Sequence, residues 1–368
     1  MAELFSPQRL TLARERRGLF MQELAARVGV NAQTVSRWEN GRTVPPDDCI
    51  EKVAKELAFP RKYFFGDAPP RLETAAFRSL ARMTAKQRHM ALAAGSQAVA
   101  VDAWIERDFE RPKPHIPDLH DLASNPEAAA EALRAAWGLG YAPIGNLIHR
   151  MELNGVRVFS LVHDGSEIDA FSDWQNGTPY VFLNTTKTAE RIRMDAAHEI
   201  AHLVLHAHAG GPSSRGEEDQ AQHFAGAFLM PATAFIATTP NYLTLETIIH
   251  AKQHWGVSAL AYVYRLHKLR RISDYLYRSL CILIKSNYGQ GEPGPERPRE
   301  ASQVLAKVLG SPNGGSVRKQ IAQDLRIYLH DLDEITFGLS LTPMTGGGAV
   351  VGPAPPNATE EAKLRLVN

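Results

Sequence analysis

The sequence predicts a mainly α protein with a small β-sheet, an α+β chain of several parts, and three observations carry that expectation. Apolar residues recur at helical spacing between capping signals over most of the chain. Only 156–161 and 180–184 have the β-branched and aromatic density of strands, and Pro- and Gly-rich breaks divide the rest. A length of 368 residues asks for two or three domains, and 44% apolar with 22% charged residues describes an ordinary globular protein. No stretch is long and apolar enough to span a membrane, and the amino terminus lacks the basic-then-apolar pattern of a secretory signal, so a cytoplasmic protein is expected. Cys49 and Cys281 lie far apart and read as reduced thiols. A net charge of +1 selects no partner class. Residues 1–65 hold 11 Lys/Arg against 8 Asp/Glu, which only weakly favours phosphate contact.

Four or five short helices fit residues 6–65. Ser6-Pro7 opens the first as N-cap and first-turn proline, with Leu10, Leu12, Ala13 and Leu19 as its apolar stripe. A second helix, 21–28, closes on Gly29 as a left-handed cap, Asn31 caps a third running to Glu39, and Pro45-Pro46 precede a fourth from about 47 to 57. Residues 71–112 read as amphipathic helix, broken by prolines at 112–117, and 126–137 as another. The stretch 173–177 reads as the turn before the strand 180–184. A long helix follows at about 189–208 with Thr188 as its cap, then one at about 217–230 stopped by Pro231, and further helices to Ile284. Residues 286–300 read as a linker, two short helices follow it, and the tail 343–368 has the composition of a disordered segment.

Within the long helix stands His198-Glu-Ile-Ala-His202. Helical residues four apart share a face, so both imidazoles can meet one cation, while Glu199, rotated by about 100°, can act as general base without being a ligand. The small and apolar flanks Ala196, Ala197, Ile200, Ala201, Leu203 and Val204 bury this helix, and buried histidines need a partner, most simply a shared metal. Glu218, on the next helix, is the preferred third ligand and leaves a fourth position open, the pattern of catalytic zinc. Glu217 and Asp219 flank it as alternatives. His208 is disfavoured because Leu205 stands where a helix-breaking glycine would be needed to swing it in, and His206 suits outer support. Two neutral imidazoles and a carboxylate on zinc, with Glu199 as base, point to peptide hydrolysis. The strand at 180–184 is the expected docking edge for an extended substrate. His223, Tyr262, Tyr264 and Arg265 are possible oxyanion donors, each equally able to be structural.

At the other end, residues 22–41 have helix-turn-helix spacing: Ala25 small at the crossing, Gly29 at the turn, Val35 and Trp38 apolar on the second helix. Gln33 can read adenine and Arg37 guanine. Thr34 and Ser36 can reach a base edge or phosphate, while Gln22 and Arg42 suit the phosphate backbone. Double-stranded operator DNA is the partner this implies, and a reader of this size is expected to bind as a homodimer.

Both ends resemble known families. Residues 9–65 resemble the XRE (Cro/CI-type) helix-turn-helix family through Glu23-Leu-Ala, Val28-Gly29, Ser36-Arg-Trp-Glu-Asn-Gly41 and Pro45. Residues from about 76 to 280 resemble the ImmA/IrrE-type metallopeptidases through Phe77-Arg-Ser-Leu, Asp169-Ala-Phe-Ser-Asp-Trp, Val181-Phe-Leu-Asn184, Glu190-Arg-Ile-Arg, His198 to His206, Glu218-Asp-Gln-Ala-Gln-His-Phe-Ala, Phe-Leu-Met-Pro231 and Trp255-Gly-Val-Ser-Ala-Leu-Ala261. Ala201 departs from a usual glycine, Met194-Asp195 from the usual Phe-Thr, and residues 300–368 match nothing in the family.

The resemblance implies a helix-turn-helix domain over 1–68, a helical connector over 69–125, and a zincin-like metallopeptidase domain over 126–285. A linker over 286–300, a helical segment over 301–342 and the tail complete the chain. It also implies Zn2+ on His198, His202 and Glu218 with Glu199 as base. The expected function is a DNA-binding regulator whose zinc endopeptidase cleaves a protein, a partner repressor, in stress or mobile-element control. The alternative is a non-catalytic XRE-family transcription factor or antitoxin-like protein that uses the peptidase-like domain as a scaffold.

Overall fold

A computed structural model of the chain describes residues 3–72, 84–161, 170–207, 214–289, 291–309 and 314–339. The expected tail at 343–368, His208, the motif residues 77–80 and Asp169 lie outside these. No described helix is long and apolar enough to cross a membrane.

The first part is a helical cluster: α1 (Pro7–Arg16), α2 (Met21–Val28), α3 (Ala32–Glu39), α4 (Asp47–Glu56) and a 3-10 turn at Arg61–Phe64. Its core gathers Leu10, Leu24, Ala25, Val28, Val35, Trp38, Ile50 and Leu57. Helix α1 stops at Arg16, before Leu19, which enters the core from the turn. Ser6 stands at its N-cap, but its hydroxyl makes no capping bond, so Pro7 at the first turn carries that role. Gly29 takes φ +77°, the left-handed turn that lets α3 cross α2. Asn31 Oδ1 accepts from the Thr34 amide at 2.8 Å and caps α3. Arg14 grips Glu39 with two hydrogen bonds of 2.6 and 2.9 Å, locking α1 to α3 from inside.

After this cluster comes one long helix, α5 (Ala85–Asp108), capped by Thr84 and Gln87; it stops earlier than the amphipathic pattern predicts, and the expected helix over 73–83 lies outside the described residues. Next come α6 (Pro126–Ala136), α7 (Leu147–Leu153), β1 (Arg157–Ser160), β2 (Ala170–Gln175), β3 (Thr178–Leu183), α8 (Ala189–Leu205), α9 (Arg215–Leu229), α10 (Ala232–Thr238), α11 (Leu245–Trp255), α12 (Ala259–Lys268) and α13 (Asp274–Tyr288). The sheet order is β1-β3-β2, with β1 parallel and β2 antiparallel to β3. Asp173 to Gln175, read from sequence as turn, belong to β2. The turn shrinks to Asn176-Gly177, both at positive φ (51° and 78°), the two-residue type I′ geometry that suits a twisted hairpin.

Alternation along the strands sorts the two faces. Phe171, Tyr180 and Phe182 face α5. There Gly95 is the point of closest approach, since a Cβ on it would stand 2.3 Å from Leu72 Cδ1 and 3.1 Å from the Phe171 ring. The wholly buried Asp102 accepts from the Tyr180 hydroxyl at 2.7 Å, lies 3.4 Å from Arg157 Nε and pairs with Arg111. Ser172 faces α8. Helix α8 ends at Leu205 rather than near 208, with His206 as its C-cap and Thr188 Oγ1 capping its start.

Beyond α13, which extends past the expected linker start at 286, the irregular stretch is pinned rather than free. Glu292 accepts from the Ala259 amide at 2.7 Å, and Glu300 accepts from the Leu147 amide at 2.9 Å and pairs with Arg193 of α8. Three helices follow where two were expected: α14 (Gln303–Leu309), α15 (Gly314–Asp324) and α16 (Leu329–Thr336). They bind both halves of the molecule. Arg17, the C-cap of α1, donates to the buried Asp331 at 2.7 Å, Arg16 pairs with Glu334, and Arg326 reaches Glu3 and the Phe65 carbonyl at 2.6 and 2.8 Å. On the other side Thr185 donates to the Phe337 carbonyl at 2.7 Å, and Glu152 accepts from the Gln303 amide at 2.9 Å.

Candidate metal centre and DNA-reading face

Helices α8 and α9 pack along each other and bring His198, His202 and Glu218 together, their nearest ligand atoms all within 4.8 Å of one another. His198 Nε2 lies 3.1 Å from His202 Nε2 and 3.4 Å from Glu218 Oε2, and His202 Nε2 lies 3.5 Å from Glu218 Oε1. Bonds of about 2.0–2.1 Å to a tetrahedral zinc set neighbouring ligand atoms about 3.3 Å apart, so this donor set fits the ion. Among the described residues this is the one His/Cys/Asp/Glu group of three or more with that convergence. Glu217 is committed elsewhere: its carboxylate accepts from the Ser214 amide at 2.7 Å in the capping box of α9.

Glu199, beside the two imidazoles, is 2% exposed. Ser172 of β2 donates to its Oε2 at 2.7 Å, which leaves Oε1 to handle a proton. Burial raises the Glu199 carboxyl to about 7, opposed by His198 and the Ser172 bond. Burial works against charge on His198, but the Glu218 hydrogen bond and the Glu199 and Glu218 charges outweigh it and hold that imidazole above its ordinary value. Sequence reasoning assigned Ser172 no role. The signal for it was its place in the Asp169-Ala-Phe-Ser-Asp-Trp phrase, in a strand whose limits the sequence left unmarked.

Two expectations change. β3 is the central strand, paired on both sides, so it offers no free edge; the edge strands are β1 and β2. Arg265 and Tyr262 are fully buried: Arg265 donates to the Met230 carbonyl at 2.9 Å and pairs with Glu127, and Tyr262 packs on Phe235. His223 is spoken for by Glu127 at 3.3 Å, and Tyr264 carries Lys268 over its ring.

On the other domain, α3 presents Gln33, Arg37 and the half-buried Thr34 and Ser36, with Gln22 and Arg42 exposed beside them. Among the described residues neither Arg37 nor Arg42 pairs with a carboxylate, so both guanidiniums remain free for bases or phosphates. Thr34 also donates its hydroxyl to Asn31 Oδ1 at 2.9 Å, and Ser36 Oγ accepts from Asn40 at 3.2 Å, so these two are held in place by the α3 termini.

Residues 10–64 match the helix-turn-helix family model, and residues 151–267 match the model of the IrrE N-terminal-like domain, a peptidase family. A helix-turn-helix match and an IrrE N-terminal-like match thus follow one another along the chain, each confined to its own stretch. The IrrE N-terminal-like match spans α7 to α12 and contains the sheet, His198, Glu199, His202 and Glu218. The helix-turn-helix match covers α1 to α4 and the 3-10 turn. Neither model reaches α5 or the helices beyond α12. No curated protein matches the chain.

Proposed function

We propose that this protein is a cytoplasmic DNA-binding transcriptional regulator with zinc-dependent endopeptidase activity, whose substrate is a partner repressor. The single observation that carries the reading is the convergence of His198, His202 and Glu218 beside the buried Glu199. His198, His202 and Glu218 would hold the ion, which when bound would supply Lewis acidity to an amide carbonyl and to water. Glu199 Oε1 takes a proton from the attacking water and passes it to the leaving nitrogen, while the Ser172 hydroxyl holds the other oxygen still. The edge strand β2, which carries Ser172, orients an extended substrate by strand addition. Gln33, Thr34, Ser36 and Arg37 read base edges and Gln22 and Arg42 hold phosphates, in a homodimer on operator DNA. Binding at the operator raises the local concentration of the peptidase around its target.

The test is incubation of the purified, zinc-loaded chain with the DNA-binding repressors encoded beside its gene, with Glu199→Gln as control. A discrete repressor fragment from the wild type alone is the expected result. No fragment, or equal cleavage by Glu199→Gln, rejects the peptidase.

A further inference from the structure

The ligand set leaves unexplained what makes His202 present a lone pair, rather than a proton, at Nε2. We propose that Gln220 and His206 are positioning residues that set the tautomer of His202 through a hydrogen-bond relay, an inference that rests on the metal reading above. His202 Nδ1, the nitrogen turned away from the centre, lies 3.1 Å from His206 Nδ1, and His206 Nε2 lies 2.9 Å from Gln220 Oε1. His202 and His206 are 5% and 3% exposed, so water does not compete for these contacts.

The logic is sequential. An amide oxygen only accepts, so the His206 Nε2 must carry that ring's proton. A neutral imidazole has one N–H, so His206 Nδ1 is then an acceptor. The proton between the two Nδ1 atoms therefore belongs to His202, and His202 Nε2 is left with its lone pair facing His198 and Glu218. Turning the Gln220 amide over, with its NH2 toward His206, would reverse every assignment and place a proton on the ligand atom. His206 itself cannot ligate in this arrangement, because one of its nitrogens faces His202 and the other Gln220.

The local fold supplies the geometry. His206 is the C-cap of α8, one turn beyond His202, where its ring can lie beside the ligand's. Gln220 comes from α9, two residues after Glu218, so the same helix delivers a ligand and the end of the relay. Metal-bound histidines usually give their second N–H directly to a carboxylate, a carbonyl or water, and such partners count for about 10–100-fold in affinity. Here an imidazole stands between the ligand and its amide acceptor.

The experiment measures zinc affinity of the full-length chain by competition with a chromophoric chelator, for wild type, Gln220→Leu and Gln220→Glu. A side-chain 15N spectrum of histidine-labelled, zinc-loaded protein reads the tautomers. Gln220→Leu is expected to lose about 10–100-fold in affinity and to lose the pattern of protonated Nε2 and bare Nδ1 at His206. Gln220→Glu, which keeps an acceptor oxygen, retains both. Wild-type affinity in Gln220→Leu, equal loss in both variants, or a protonated Nδ1 on His206 in the wild type overturns the relay alone. A wild type that takes up no zinc overturns the metal reading and the relay with it.

Discussion

Asp102 is the place where a single charge can be removed from the interior with a consequence worked out in advance. It is wholly buried, and its carboxylate serves Tyr180 at 2.7 Å, Arg157 at 3.4 Å and Arg111, which together tie α5 to both β1 and β3. Asp102→Asn keeps the shape and an acceptor for Tyr180 but removes the charge. Arg157 retains Glu106 at 2.5 Å, whereas the Arg111 side chain, 3% exposed, has no other ion pair among the described residues. Removing one member of a buried pair costs about 3–5 kcal/mol, because the other charge stays buried and uncompensated. At ~2–4 °C per kcal/mol for a domain of this size, the melting temperature falls by roughly 6–20 °C. Circular dichroism melts of the metal-free chain measure it. Asp102→Leu combined with Arg111→Met is expected to recover most of the loss, since an apolar pair of similar volume replaces the ion pair. Zinc uptake by Asp102→Asn at low temperature stays unchanged, because Asp102 and α8 lie on opposite faces of the sheet. A melting temperature within about 2 °C of wild type refutes the reasoning.

Ser172→Ala removes a hydrogen bond to a charged oxygen, worth about 1.5–3 kcal/mol, and is expected to lower kcat/KM by about tenfold or more with zinc content unchanged. In DNA-binding assays across salt concentrations, Arg37→Ala relaxes base preference at one operator position, while Arg42→Ala weakens all sequences alike and lowers the salt slope by about one. Burial pushes the Glu127 carboxyl up, but hydrogen bonds from Arg265 and His223 outweigh it and hold it at about 2. Its stabilisation is therefore present above its unfolded value of 4.5 and is lost as pH falls toward 2. Discounted for partial exposure, Glu127→Gln costs about 1–2 kcal/mol at pH 7 and nothing near pH 2, read by urea unfolding at the two pH values.

Much of the helical plan is legible in the chain because the signals are local: Asn31 and Thr188 cap, Gly29 turns, and Pro231 stops α9 within one residue of its expected end. The convergence of His198, His202 and Glu218 is legible too, since two ligands share one helix face and the third lies on the next helix. What escapes is non-local. β2 carries Ser172, Asp173 and Gln175 among apolar residues, so its outline dissolves into turn chemistry until β3 pairs with it. Ser172, Gln220 and the Asp102 cluster gain their roles from partners 9 to 78 residues away. The edge available to a substrate depends on strand order, which no single strand encodes.

Residues 300–339 lie outside both family matches, yet they brace the whole molecule. Asp331 and Glu334 hold α1, Phe337 meets Thr185 just before α8, and Glu300 grips Arg193 inside α8 itself. The helix-turn-helix and the candidate metal centre are thus yoked by a strut rather than joined by slack rope. Any tilt of the head on its DNA must either travel along that strut to the root of α8 or tear a sequestered charge pair apart.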